Sequence, residues 1–123
     1  MGKFTFRKAE RLSKEKVIQE LFDKGSSFYL YPFKVFFLPN RDDQCPHHQV
    51  LISVSKKSFK RAVDRNLIKR RIREAYRLNK NLLGDKNKLV IAYIYSAKEI
   101  LPSAQIHGRL VKTFKRFDYG EKN

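Results

Sequence analysis

The sequence predicts one α+β domain over residues 1–123, with a small sheet covered on one face by helices. Two observations predict it. A chain of 123 residues with 41% hydrophobic content fills one modest core and leaves little room for a second. Helical and alternating periodicities then follow one another in the order helix, strand, strand, helix, strand, helix.

The first helix is expected over Lys14–Lys24, capped by Ser13 and stopped by Gly25, with Val17, Ile18, Leu21 and Phe22 on one stripe. Phe28–Leu38 is dense in aromatics and broken by Pro32, which suits the edge or the start of a strand rather than its centre. Alternation puts Phe33, Val35 and Phe37 on one face and Lys34, Phe36 and Leu38 on the other. Pro39–His47 is polar and reads as a loop. Val50–Val54 is the next strand, with Val50, Ile52 and Val54 inward, and Val63–Asn79 is a strong helix. Gly84–Lys88 reads as a turn. Leu89–Tyr95 carries so little polarity that a strand buried largely on both faces is expected. Ser103 is placed to cap a last helix bearing Ile106, Leu110, Phe114 and Phe117, with Gly108 a weak helix former inside it.

Charge narrows the function. Lys and Arg number 28 against 12 Asp and Glu, a formal net charge of +16. So small a domain repels itself at that charge, and a polyanion is expected to neutralise it. Nucleic acid fits, because each phosphate contact releases condensed counterions. A membrane partner is not expected: no hydrophobic run approaches spanning length, and the N-terminus lacks an apolar signal core. Cys45 is the only cysteine, so no intrachain disulfide forms and a reducing cytoplasm is the expected setting.

The basic residues concentrate from Lys56 to Arg77. Within the helix, Leu67, Ile68, Ile72, Ala75 and Leu78 gather on one side. Asn66, Lys69, Arg70, Arg73 and Arg77 form a stripe opposite them, with Arg65 on its border beside Tyr76. Arg71 falls on the apolar half and must snorkel or find another partner. Like charges at these spacings repel by about a few tenths of a kcal/mol each, so the row gains nothing as pure structure. Against a phosphate backbone it becomes favourable, with Arg supplying bidentate contacts and Asn66 an amide. Asp64 suits the positive end of the helix.

Ala62-Val63-Asp64-Arg65-Asn66-Leu67-Ile68-Lys69-Arg70, followed by Arg73, resembles the A-x-x-R-N-x-x-K-R-x-x-R signature of the bacterial ribonuclease P protein family. Ser53-Val54-Ser55-Lys56-Lys57 resembles the strand end before it; Arg11-Leu12, Leu21-Phe22 and Gly25 resemble the early helix, and Phe33 and Phe36 the first strand. Leu67 departs from the family's usual Arg, and Ile18 stands where relatives often place an aromatic.

The resemblance implies a mostly antiparallel sheet of the ribosomal-protein-S5-domain-2-like kind, with a left-handed βαβ crossover that the usual handedness rule does not suggest. It implies an RNA subunit that hydrolyses the phosphodiester with Mg²⁺, leaving no catalytic side chain and no cofactor to the protein. The implied partners are that catalytic RNA and precursor tRNA, with no obligate protein partner. Contact with the RNA is implied for Lys56, Lys57, Arg65, Asn66, Lys69, Arg70, Arg73 and Arg77. A cleft for the single-stranded 5′ leader is implied at Phe22, Phe36 and Lys57, where rings stack bases and a lysine holds the backbone.

Other readings are a ribosomal or other structural RNA-binding protein, a helix-turn-helix DNA binder, and a metal-dependent nuclease. The last rests on Asp42-Asp43-Gln44-Cys45-Pro46-His47-His48, which lacks a second ligand cluster and reads as a polar loop. A helix-turn-helix needs a helix where Val50–Val54 reads as a strand. His107 is expected on the surface of the last helix.

Overall fold

The structure, a computed structural model, describes residues 14–39, 48–83 and 88–121, the side chains of 118–121 excepted. Helix α1 (Glu15–Lys24) is amphipathic, with Leu21 fully buried, Glu15 in its first turn and Lys24 in its last, as the macrodipole favours. Lys14 stands at its N-cap without a side-chain cap bond, and Ser13 lies outside the described residues. At Gly25 the N–H donates to the Leu21 carbonyl at 2.9 Å. A Cβ there would lie 2.4 Å from that oxygen and 3.0 Å from the Phe37 carbonyl, so the close approach of α1 to the sheet requires glycine.

The aromatic stretch folds as a hairpin of two strands, β1 (Ser26–Leu30) and β2 (Phe33–Pro39), rather than one. Tyr31 and Pro32, joined by a cis peptide bond, make the turn, where the missing proline N–H costs no ladder bond. Then come β3 (Gln49–Val54), α2 (Ala62–Asn79) with a 3-10 turn (Lys80–Leu83), β4 (Leu89–Tyr95) and α3 (Ser103–Glu121). The sheet order is β1-β2-β4-β3; β1–β2 and β2–β4 are antiparallel, and β3–β4 is parallel across the α2 crossover.

The α+β class and the mostly antiparallel sheet stand as expected, but the helices do not share one face. Phe33, Val35 and Phe37 join Ile91, Tyr93, Val50 and Val54 in the main core with Ile68, Ile72, Ala75 and Tyr76 of α2 and Ile106, Leu110, Phe114 and Phe117 of α3. On the reverse face, Val90 and Ala92 pack with Leu21 of α1, flanked by Val17, Ile18, Phe36, Leu38 and Leu51. The reason lies in β4: six of its seven residues are buried, so each face needs a cover. The amphipathic α1 supplies the second one.

Tertiary packing also shifts individual residues. Tyr76, expected at the border of the basic stripe, is 1% exposed and meets Phe114 edge-on at 6.2 Å, whereas Leu78 is 43% exposed. The buried stripe of α2 thus rotates toward α3. Arg71 finds its partner in the Leu101 carbonyl, 2.7 Å from Nη1. Ser103 does not cap α3; it is the first helical residue, and the Pro102 carbonyl accepts from the N–H groups of Gln105 and Ile106, each at 3.1 Å. His107 is half-buried, its Nε2 2.8 Å from the Asn79 side-chain nitrogen at the end of α2. Residues 40–47 and 84–87 lie outside the described residues, and with them most of the two predicted loops. His48 is buried, its Nδ1 accepting the Leu89 N–H at 3.0 Å.

The buried hydroxyls of Thr113, Tyr93 and Tyr95 are hydrogen-bonded. The Thr113 hydroxyl donates to the Leu110 carbonyl at 2.6 Å and sits 2.8 Å from the Tyr93 hydroxyl. Tyr95 donates to the Glu99 carbonyl at 2.7 Å and accepts the Leu101 N–H at 3.1 Å, securing the segment before α3. Burial pushes both phenols above their ordinary value, so they remain protonated donors.

Candidate nucleic-acid interface

The basic segment is held at both ends. Past β3 the chain turns back at Ser55, whose carbonyl accepts the Phe59 N–H at 3.1 Å and whose hydroxyl accepts the Lys57 N–H at 3.0 Å. Lys56 and Lys57 stand exposed on this turn, while Phe59 is 7% exposed and packs against Tyr95 at 6.0 Å. Phe59 therefore anchors a loop whose other residues are mostly cationic.

Arg65 closes the loop from the helix side. Its Nη1 donates to the carbonyls of Phe59 at 2.8 Å and Lys60 at 3.0 Å. The half-buried Arg65 thus ties the loop Lys56–Arg61 onto the first turn of α2, where Asp64 sits near the helix start. Sequence reasoning assigned Arg65 to RNA alone and did not register this tie.

Along α2, Asn66, Arg70 and Arg73 are exposed and Lys69 is half-buried. Arg77 is committed differently, with Nε donating to Glu74 Oε1 at 2.8 Å and Nη2 meeting the same oxygen. Glu74 therefore offsets the charge at the C-terminal end of the stripe, while among the described residues no carboxylate pairs with Lys69, Arg70 or Arg73. Leu67 is half-buried on the apolar flank.

The reverse face holds the second predicted site. Phe22 on α1 and Phe36 on β2 meet edge-to-face, with ring centroids 4.8 Å apart and planes at 70°. Phe22 remains 38% exposed and Phe36 half-buried, so aromatic surface stays open beside α1. Among the described residues, Lys34 is the cation found over these rings, its Nζ 5.5 Å from the Phe36 centroid. Lys57 instead follows the end of β3, an outer strand separated from β2 by β4. The signal for Lys34 was the alternation of β2, which sets it on the same face as Phe36. Tyr29, 56% exposed and paired with Lys34 across the hairpin, extends the same face to the sheet's edge.

Strand β3, not a positioning helix, precedes α2. Among the described residues, no three His, Cys, Asp or Glu side chains group to hold a metal, and residues 42–47 lie outside that set. No helix among them is long and apolar enough to cross a membrane.

Comparison with known proteins adds to this geometry. The family model described as Ribonuclease P matches residues 6–118. A ribonuclease P protein component of Porphyromonas gingivalis is 44% identical over 82 residues, covering 67% of this chain and 60% of that relative. One from Petrotoga mobilis is 32% identical over 117 residues, 95% of this chain and 85% of that one. The RNase P protein of Staphylococcus aureus superposes with a TM-score of 0.73 at 32% identity, over 88% of this chain and 94% of that one. The Thermotoga maritima RNase P protein does so with a TM-score of 0.73 at 27% identity, over 87% and 96%.

Proposed function

This chain belongs to the ribonuclease P protein family, and from that premise we propose that it serves as the protein component of a ribonucleoprotein that removes the 5′ leader of precursor tRNA. Hydrolysis belongs to the RNA partner, with Mg²⁺ bound in the RNA. The chain has two tasks. Lys56, Lys57, Arg65, Asn66, Lys69, Arg70, Arg73 and Arg77 meet RNA phosphates around the start and outer stripe of α2. Phe22 and Phe36 stack unpaired leader bases, with Lys34 as the adjacent cation and Lys57 following a path beyond β3.

The observation that carries the reading is the open Phe22–Phe36 pair beside Lys34, on the face opposite the helix with the basic stripe. The stripe alone supplies phosphate contacts, whereas half-exposed rings beside a cation suit the unpaired bases and backbone of a single strand.

The test is reconstitution. Alone the protein does not cleave precursor tRNA; with a bacterial ribonuclease P RNA it restores cleavage at low Mg²⁺. Tight binding of ribosomal RNA without that stimulation would instead support a structural RNA-binding role. In the holoenzyme, Phe36→Ala weakens binding of leader-bearing substrate by about tenfold and leaves leaderless substrate unchanged, as loss of one stacked base predicts. Arg73→Ala instead weakens assembly with the RNA.

A further inference from the structure

Helix α3 carries a second cationic stripe. Gln105, Arg109, Lys112 and Arg116 repeat the spacing of Asn66, Arg70, Arg73 and Arg77 on α2: an amide, then cations four, seven and eleven positions on. At 3.6 residues per turn each set falls within about 60° of arc. Gln105, Lys112 and Arg116 are exposed and Arg109 half-buried. Where Glu74 pairs with Arg77 on α2, no carboxylate pairs with Arg109, Lys112 or Arg116 among the described residues.

Its position distinguishes this stripe from the first. The Arg116 guanidinium lies over the Phe28 ring of β1, 4.6 Å from its centroid. Phe28 also packs against Phe117 at 5.8 Å, which fixes this turn of α3 beside the outer strand β1. The neighbouring residue Tyr29 points to the other face, where it pairs with Lys34 beside Phe36. Consecutive residues of one edge strand thus join the open rings on one side of the sheet to the α3 cations on the other. The α2 stripe belongs with β3, at the opposite edge.

We infer that a single-stranded RNA lying on Phe22 and Phe36 continues past Tyr29 over the β1 edge, where its phosphates are held by Arg109, Lys112 and Arg116. The inference rests on the leader reading above and extends it to the nucleotides farther from the cleavage site. Base identity is immaterial at this second station, because cations alone read phosphates.

The test uses holoenzyme reconstituted with a bacterial ribonuclease P RNA and precursor tRNAs whose leaders differ in length. Affinity is expected to rise as the leader grows beyond the length that covers the ring pair. Arg109→Gln combined with Lys112→Gln is expected to remove that gain, roughly five- to tenfold at moderate salt, and to lower the salt slope for the long leader by about one. Arg116 is kept so that its packing on Phe28 stays intact, and a thermal melt checks that the variant folds. If wild-type holoenzyme ignores leaders altogether, the ring-pair reading itself fails. If a short leader binds but lengthening adds nothing, only the α3 station is overturned. Equal losses on leaderless, short and long substrates would assign the stripe to the partner RNA and overturn it as well.

Discussion

The two faces of the sheet are built to different degrees of closure. Under α2 and α3, Phe33, Tyr93, Ile72 and Leu110 have no more than trace exposure, and even the Tyr93 hydroxyl has a buried partner. Under α1, among the described residues, Leu21, Val90 and Ala92 are buried together, and Phe22 and Tyr29 remain open. The difference teaches a division of labour. Apolar burial on the closed face supplies stability in proportion to area, so the reverse face can leave aromatic surface to a ligand.

The largest test of this contrast is a pair of truncations. Ile72→Ala leaves a cavity on the closed face and is expected to lower unfolding free energy by about 2–5 kcal/mol in urea titration. Phe22→Ala on the open face should cost clearly less, because more than a third of the residue is already in water. Equal costs would mean that α1 closes its face as fully as the other two helices do.

A smaller effect is expected where the basic loop joins α2. Arg65→Lys keeps the charge but shortens the side chain whose Nη1 reaches two carbonyls, at a cost of about 1–2 kcal/mol. Faster hydrogen exchange in residues 56–61, with α3 unchanged, would show that Arg65 positions the loop. If exchange is unaltered while RNA affinity falls, its contribution is contact alone.

The smallest effect is a pH dependence confined to the closed face. Burial raises the Tyr93 phenol in the folded state above its unfolded value, so its protonated form is favoured by folding. That contribution is complete below about pH 10 and is lost as pH climbs through the folded value. Stability should therefore fall more steeply above about pH 10 in the wild type than in Tyr93→Phe, measured as the difference between their urea midpoints.

Much of this was legible in local pattern. The alternation of Phe33–Leu38 placed Lys34 with Phe36, and the apolar run Leu89–Tyr95 announced a strand covered twice. That run already conflicted with helices on one face, and the structure resolves the conflict by sending α1 to the reverse side. Pro32 marked an interruption, but whether an interruption ends a strand or turns it back depends on cross-strand pairing. Resemblance assigned Lys57 to the cleft, and the alternation of β2 adds Lys34, whose Nζ stands over the Phe36 ring.

By itself the sequence determined the charge, the α+β class, the stripe Asn66–Arg77 and the family signature around Arg65 and Asn66, because each depends on residue type at short, regular spacing. Only the tertiary structure decided that Tyr76 turns inward while Leu78 stays out, that Arg65 ties down its own loop, and that Arg116 settles on Phe28. Those outcomes join residues distant in the chain or choose among neighbours on one helix, and long-range packing makes that choice.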